Sequence, residues 1–124
     1  MKNYSGAATD YEYLLDNTTY SDKKKINKDL AVCLYELGEY EDAALAYSEA
    51  IKLTTSSVEL SELYRSRAEM KLKFYSLDLK DVINDYTTAI QKNSQNASAY
   101  SGRGLAKYYN KEYEASLTDF SESI

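Results

Sequence analysis

The sequence predicts an all-α protein of about seven helices, and three observations support that prediction. None of the 124 residues is proline, so no residue of this type forces a helix to kink or stop. Apolar residues recur at steps of three and four, as along Tyr40, Ala43, Tyr47 and Ala50, which places them on one face of a helix. Similar spacing returns in several segments, and no segment shows the strict alternation that is typical of a strand.

Short polar or glycine-containing breaks separate the predicted helices, which are roughly 11 to 16 residues long. In chain order, the breaks lie at residues 16–22, 38, 54–57, 74–78, 93–96 and 110–111. Ser56 and Glu59 have the spacing of a capping box, which predicts that a helix begins just after Ser56.

A four-residue pattern repeats along the chain: a large residue, then a small one at +3, an aromatic one at +7 and a small one at +10. The pattern occurs at residues 40, 43, 47 and 50, at 79, 82, 86 and 89, at 113, 116, 120 and 123, and more loosely at 4, 7, 11 and 14. The preceding helices have a small residue near their middle, at Ala31, Ala68 and Gly104. Such self-similarity indicates stacked helix pairs, in which each small residue admits a facing helix.

These anchors resemble those of the tetratricopeptide repeat (TPR), a helix–turn–helix unit. The segments Leu30 to Ala50 and Ala99 to Ser123 are the most similar to it. The resemblance implies a right-handed superhelical solenoid of antiparallel helix pairs. We expect a single domain over residues 1–124, with a partial repeat at 1–16 and three repeats at 23–53, 58–92 and 97–124. We also expect the chain to be an excerpt of a longer array, because the outer face of its last helix has no polar cap.

Residue types that most catalytic and metal sites need are missing. The chain has no His and a single Cys, so neither a serine–histidine triad nor a zinc site of Cys and His can form. Cys33 lies in the apolar run 30–34, which predicts a buried thiol. Acidic pairs such as Glu41 and Asp42 are expected on solvated helix faces. We therefore expect no enzyme activity, no cofactor and no metal ion.

The charge and hydropathy patterns disfavour two classes of partner. The net charge is −5 and acidic residues interrupt the basic clusters, which disfavours binding to nucleic acid. No apolar stretch approaches the roughly 18 residues that a membrane span needs, and the first residues do not resemble a signal peptide. We expect no membrane association and, by default, a cytoplasmic location.

The resemblance also implies where a ligand binds, because the first helix of each TPR lines a concave groove that takes an extended peptide or a partner helix. Carried over to this sequence, the expected groove residues are Lys25, Lys28, Val32, Tyr35, Arg65, Glu69, Leu72, Leu105, Tyr108 and Tyr109. Aromatic and basic side chains are frequent in binding hot spots. The expected function is a protein–protein interaction scaffold, with tyrosines supplying contact area and Lys25, Lys28 and Arg65 selecting negative charge.

One subtype of the family is disfavoured by the same carry-over. Co-chaperone TPR domains hold a C-terminal carboxylate with a clamp of two Lys, two Asn and one Arg. Lys28 retains one clamp residue, but Val32, Ser66, Ser98 and Gly102 occupy the other positions. We therefore do not expect the chain to bind chaperone C-terminal tails.

Two other functions remain compatible with the sequence. The chain could be a structural module that self-associates through its end helices, residues 4–15 and 113–124, whose apolar faces lack a neighbour. It could also be an accessory domain of a larger enzyme or assembly that has its catalytic residues elsewhere. The identity of a protein or peptide partner is not indicated.

Overall fold

A computed structural model describes residues 4–16, 20–74 and 78–124 of the chain. Within those ranges it has seven α-helices and no strand. The helices are α1 (Tyr4–Asp16), α2 (Tyr20–Glu36), α3 (Tyr40–Lys52), α4 (Ser57–Phe74), α5 (Leu79–Lys92), α6 (Ala97–Tyr109) and α7 (Tyr113–Glu122). The all-α class and the number of helices expected from the sequence are confirmed.

Each helix packs against the next one along the chain, and α4 also contacts α6. We refer to α2 with α3 as repeat 1, to α4 with α5 as repeat 2 and to α6 with α7 as repeat 3. Helix α2 begins at Tyr20, three residues before the expected start at residue 23. The negative charge of Asp22 in its first turn interacts favourably with the helix dipole and stabilises this start. Residues 75–77 of the break after α4, and the side chain of the anchor expected at residue 14, lie outside the described part of the chain.

Small residues allow neighbouring helices to approach closely in two core clusters. The first joins α1, α2 and α3 with Met70 of α4, and Ala31 and Ala43 in it are fully buried. The second joins α4, α5 and α6 around Tyr86. Cys33 belongs to the first cluster, as expected, and burial raises the pKa of its thiol. The thiol therefore stays protonated and unreactive near neutral pH.

Two turns have the same backbone conformation although their sequences differ. Gly38, between α2 and α3, has φ 78°, and Lys111, between α6 and α7, has φ 65°. In each turn this residue and the next one donate N–H groups to carbonyl oxygens of the preceding helix, at 2.8 to 3.0 Å. A left-handed residue is the usual end of a helix, and glycine adopts it at the smallest cost. The capping interaction expected at Ser56 is also present, since its Oγ accepts from the N–H of Glu59 at 3.4 Å.

A buried ion cluster joins the two helices of repeat 2. Arg67 of α4 makes two hydrogen bonds to the carboxylate of Asp85 in α5, at 2.7 and 2.8 Å. Lys71, one helical turn further along α4, lies 3.0 Å from the same carboxylate. The Asp85 side chain is only 6% exposed, so its charge depends on these two cations.

Repeat 3 contains the same cluster at the corresponding positions. Arg103 of α6 makes two hydrogen bonds to Asp119 of α7, at 2.8 and 2.9 Å, and Lys107 approaches that carboxylate to 3.0 Å. In both repeats the arginine also reaches the preceding repeat, where it donates to Ser48 at 3.2 Å or to Thr87 at 3.3 Å. One charged side chain therefore ties together three helices.

Candidate binding groove

The first helices of the three repeats, α2, α4 and α6, line two cavities. The first has a volume of about 360 Å³ and lies between α2 and α4. The second has a volume of about 570 Å³ and extends from α2 across α4 to α6. We call this surface the groove, and define it by the residues that line the two cavities.

The first cavity combines apolar walls with charged ends. Val32, Leu63 and the ring of Tyr47 give it an apolar lining, and Lys28 is its basic residue. Glu59 and Glu62 also line it, but Glu59 is paired with Lys24 at 3.0 Å. That hydrogen bond lowers the pKa of the Glu59 carboxyl, so the pair is fully charged near neutral pH.

The second cavity is lined by aromatic rings, one of which packs directly against a glycine. Tyr86 and Phe120 line it from the second helices of their repeats, and Gly102 lines it from α6. A Cβ at Gly102 would overlap the Tyr86 ring, so glycine is required for this ring to lie against α6. Burial raises the pKa of the Tyr86 hydroxyl, which therefore remains neutral. Leu72 and Leu105 add apolar walls, so the cavity is suited to a bulky apolar side chain.

A third cavity of about 460 Å³ adjoins the second one, because Leu72 and Leu105 line both. Leu79 and Tyr109 complete its lining. Tyr108 lies beside it and makes ring contacts with Tyr109 and Tyr113, at centroid distances of 6.0 and 5.5 Å. The expected groove residues Leu105 and Tyr109 thus lie together, whereas Tyr108 belongs to an exposed tyrosine cluster at the edge.

The charges on the groove are mostly paired with one another. Arg65 was expected to select negative charge, but it donates to Glu62 at 2.9 Å and to Glu69 at 3.0 Å. Its guanidinium is therefore paired within α4, and the role expected for it in selecting negative charge stays a prediction. Lys25, which is 85% exposed and 3.9 Å from Asp29, lines neither of the two groove cavities.

Two lysines in the cavities have no carboxylate partner within 4 Å among the described residues. Lys28 has no hydrogen bond or ion pair in that part of the chain. The ammonium of Lys73 lies over the rings of Tyr35 and Tyr40, 5.6 and 5.3 Å from their centroids. Although the chain as a whole is acidic, the unpaired charge of the groove is positive.

The structure therefore divides the sequence-derived residues into three groups. Those that line the first two cavities are Lys28, Val32, Tyr35, Glu69, Leu72 and Leu105. Tyr109 lines the adjoining cavity, and the remaining three, Lys25, Arg65 and Tyr108, line none of these cavities. Lys73 and Gly102 were not among the expected ligand contacts. The sequence shows Gly102 only as a second small residue near Gly104. Its importance depends on the ring of Tyr86, which belongs to another helix.

Two further properties of the described residues concern metal ions and membranes. In these ranges no group of three or more His, Cys, Asp or Glu side chains could hold a metal ion. None of the described helices is both long and apolar enough to cross a membrane.

Comparison with known proteins identifies the fold. The model of the tetratricopeptide repeat family matches residues 1–58. The second TPR of Spaghetti (RPAP3) bound to the HSP90 peptide SRMEEVD has a TM-score of 0.73 and 22% identity, with 83% of this chain and 85% of that chain covered. MamA has a TM-score of 0.85 and 19% identity, with 98% of this chain and 67% of that chain covered. The Arabidopsis OM64 TPR domain has a TM-score of 0.76 and 24% identity, with 85% of this chain and 83% of that chain covered. Among curated proteins none has significant sequence similarity to the chain.

Proposed function

Since the chain is a TPR-like helical repeat protein, we propose that it is a non-enzymatic interaction scaffold whose groove binds a peptide or a helix of a partner protein. The observation that supports this proposal most directly is the pair of cavities along α2, α4 and α6, on the same helix faces that the family resemblance implicated. Both cavities combine apolar walls with a basic side chain, which is a lining that can hold a side chain and orient it.

The lining suggests what the ligand carries. Leu72, Leu105 and Phe120 give the second cavity apolar walls that suit an aromatic or long aliphatic side chain. Lys28 and Lys73 supply unpaired positive charge in the two cavities, so acidic groups on the ligand would be attracted to them. The proposed ligand is a segment that contains a bulky apolar residue and acidic residues near it.

The HSP90 peptide seen on the similar domain of Spaghetti (RPAP3), SRMEEVD, also has an apolar Met beside acidic residues. The proposed ligand differs from it in that no terminal carboxylate is required. The positions that correspond to the chaperone clamp, Lys28, Val32, Ser66, Ser98 and Gly102, all line the two cavities. Only Lys28 among them is charged, so a terminal carboxylate would find one cation where the clamp offers three. We therefore expect the terminal carboxylate of SRMEEVD to add little to binding, so calorimetric titrations with the free-acid and the C-terminally amidated peptide should give Kd values within about twofold of each other.

Selection from a library of random peptides tests the proposal and does not require the partner to be identified. Peptides selected on the immobilised chain should be enriched in acidic residues around an aromatic or aliphatic one. Leu105→Glu places a carboxylate at the apolar cavity and should weaken the selected peptides at least about tenfold, through repulsion of acidic groups and loss of apolar contact. Leu45→Glu is the matched control, because Leu45 is 61% exposed on α3 and does not line the groove.

The outcome that contradicts the proposal is equal binding to both variants. Circular dichroism must show that Leu105→Glu is folded, which its 38% exposure leads us to expect. Selected peptides that bind elsewhere, or a library that yields no peptide above background, would also count against a ligand-binding groove.

A further inference from the structure

One hydroxyl group that lines the second cavity has no partner in the described part of the chain. Tyr86 is 1% exposed, yet its hydroxyl makes no hydrogen bond with any described residue. Every fully buried side-chain nitrogen and oxygen among those residues has a hydrogen-bond partner. The Tyr86 oxygen is therefore not fully buried, and it is accessible from the cavity that this residue lines.

Comparison with the first cavity shows why this hydroxyl is left unpaired. Tyr47 is the equivalent anchor there, and Ser66 of α4 is at the position that Gly102 has in α6. Burial raises the pKa of Tyr47, and a hydrogen bond with the Ser66 side chain partly offsets that rise. Gly102 has no side chain to offer, and a Cβ there would overlap the ring and hydroxyl of Tyr86. Helix α6 therefore supplies no partner for this hydroxyl.

The Tyr86 hydroxyl is a neutral donor near neutral pH. Burial raises its pKa, and the negative charge of Glu69 raises it further, by more than Arg65 lowers it. The proton therefore stays on the oxygen, and a second negative charge beside it is disfavoured. A neutral oxygen is the acceptor that suits this hydroxyl best.

Two acceptors line the same cavity. Ser101 donates its own proton to the carbonyl oxygen of Ser98 at 3.1 Å, so the lone pairs of its oxygen are free to accept. Glu69 accepts from Arg65 at 3.0 Å with one carboxylate oxygen, and the other oxygen accepts nothing from the described residues. A neutral donor and two acceptors thus line one cavity.

We propose that the second cavity recognises the carboxamide of a glutamine or asparagine side chain in the ligand. The carboxamide oxygen accepts from the Tyr86 hydroxyl, and its NH₂ group donates to Ser101 and Glu69. A carboxamide has this combination of a carbonyl acceptor and two N–H donors, whereas a carboxylate has no donor and would add negative charge beside Glu69. This inference rests on the proposed function and names a further side chain of the same ligand.

The cavity has room for this carboxamide beside the bulky apolar side chain that its walls suit, since its volume is about 570 Å³. In an extended segment, side chains two positions apart point to the same side. The carboxamide and the apolar residue are therefore expected two positions apart, with an acidic neighbour near Lys73. A main-chain peptide group suits the site less, because a ring that is 1% exposed is reached by a side chain more readily than by a backbone.

Three small aromatic molecules test the donor and the acceptors separately. Toluene has no polar group, acetophenone has a carbonyl acceptor, and benzamide has that acceptor and two N–H donors. Binding is followed by NMR through the amide shift of Gly102 in the isotope-labelled chain. Tyr86→Phe should weaken acetophenone and benzamide about fivefold, as expected for loss of one neutral hydrogen bond, and should change toluene binding less than about twofold.

A second variant tests the acceptor side. Ser101→Ala should weaken benzamide about fivefold and leave acetophenone unchanged, because acetophenone has no N–H group to donate. Tyr113→Phe is the matched control, since it removes a hydroxyl from a residue that lines none of the three cavities. It should leave the binding of all three molecules unchanged.

Tyr86→Phe should also fold as stably as the unaltered chain. Phenylalanine occupies the equivalent anchor position in repeat 3, at Phe120, and the Tyr86 hydroxyl has no partner among the described residues. Thermal unfolding measures this. A marked loss of stability would overturn the proposal, because the hydroxyl would then have a partner within the chain.

Two binding results would also overturn it. One is equal affinity of benzamide for the unaltered chain and Tyr86→Phe, or no shift of Gly102 up to the solubility limit of benzamide. The other is a set of selected peptides that bind the groove without glutamine or asparagine two positions from the apolar residue, in which case the scaffold itself would stand. A library that yields no peptide contradicts the scaffold, and the three molecules then still decide whether the cavity binds a carboxamide.

Discussion

Repeats 1 and 3 build the same contact between their two helices with opposite chemistry. Three equivalent positions are Leu30, Leu34 and Ala46 in repeat 1 and Arg103, Lys107 and Asp119 in repeat 3. The three in repeat 1 are buried apolar side chains, between 5 and 8% exposed. Those in repeat 3 form an ion cluster around a carboxylate that is 3% exposed. Repeat 2 has the same ionic chemistry as repeat 3, formed by Arg67, Lys71 and Asp85.

The difference shows that one backbone arrangement accepts either an apolar or an ionic contact, with different consequences. When an apolar contact loses one side chain, the loss of stability grows with the size of the cavity left behind. An ion cluster needs every member, since a buried charge without its partner is much more costly than the complete cluster. The arginine also reaches the preceding repeat, so we infer that the cluster specifies how repeats stack as well as how helices pair.

Removal of the carboxylate from repeat 3 is expected to have the largest effect. Asp119→Ala leaves Arg103 and Lys107 partly buried without a counter-charge and should lower the free energy of unfolding by about 3–5 kcal/mol. Urea unfolding followed by circular dichroism measures this change.

The matched control replaces the ion cluster of repeat 3 with the apolar residues found at the equivalent positions of repeat 1. The triple variant Arg103→Leu, Lys107→Leu and Asp119→Ala should be at least as stable as the unaltered chain, because apolar replacement of a whole buried cluster is often neutral or stabilising by about 1–4 kcal/mol. A triple variant as unstable as Asp119→Ala would show that the two repeats are not equivalent at these positions.

Acid should distinguish the two contacts, because only the contact in repeat 3 contains a carboxylate. Burial disfavours the charged form of Asp119, but hydrogen bonds from Arg103 and Lys107 outweigh it and lower the pKa of this carboxyl. A lowered folded-state pKa stabilises the chain above the unfolded-state pKa, and this stability is lost as pH falls through the folded value. Urea midpoints should therefore decline from about pH 5 to about pH 3 less steeply in the triple variant. Parallel declines would rule out a contribution from Asp119.

The two left-handed turns allow a smaller comparison between the same repeats. Gly38 has open space around its Cα, so Gly38→Lys tests only the backbone conformation and should cost about 1 kcal/mol. The reverse change, Lys111→Gly, should stabilise the chain by about 0.5–1 kcal/mol. Thermal unfolding of both variants measures the two changes in stability. A loss of stability in Lys111→Gly would mean that the lysine makes a favourable contact of its own.

The elements that sequence predicted best are those that local spacing determines. The positions of Tyr47, Ala43 and Ala31 follow from helical periodicity and from the recurrence of one pattern, and their buried or partly buried environments agree with it. The start of α4 followed from the capping interaction of Ser56 with Glu59, which depends on neighbours in the chain.

The ion clusters and the charge of the groove could not be predicted in the same way. The basic segment 65–73 is one cluster in the sequence, but the helix directs Arg67 to Asp85, Arg65 to two glutamates and Lys73 to two tyrosine rings. The face of the helix on which a side chain lies determines its partner, and the partners of Arg67 and Lys73 belong to other helices. Sequence alone does not show these distant partners, so the charged residues are expected to be solvated when they are in fact paired.

Charge reversal at two neighbouring lysines is the most direct test of the groove. Lys28 lines the first cavity without a carboxylate partner, whereas Lys25 lies outside both groove cavities beside Asp29. With a peptide selected on the unaltered chain, fluorescence anisotropy should show at least about tenfold weaker binding for Lys28→Glu and less than about twofold for Lys25→Glu. Equal losses for the two variants, or none for Lys28→Glu, would contradict binding of an acidic ligand in this groove.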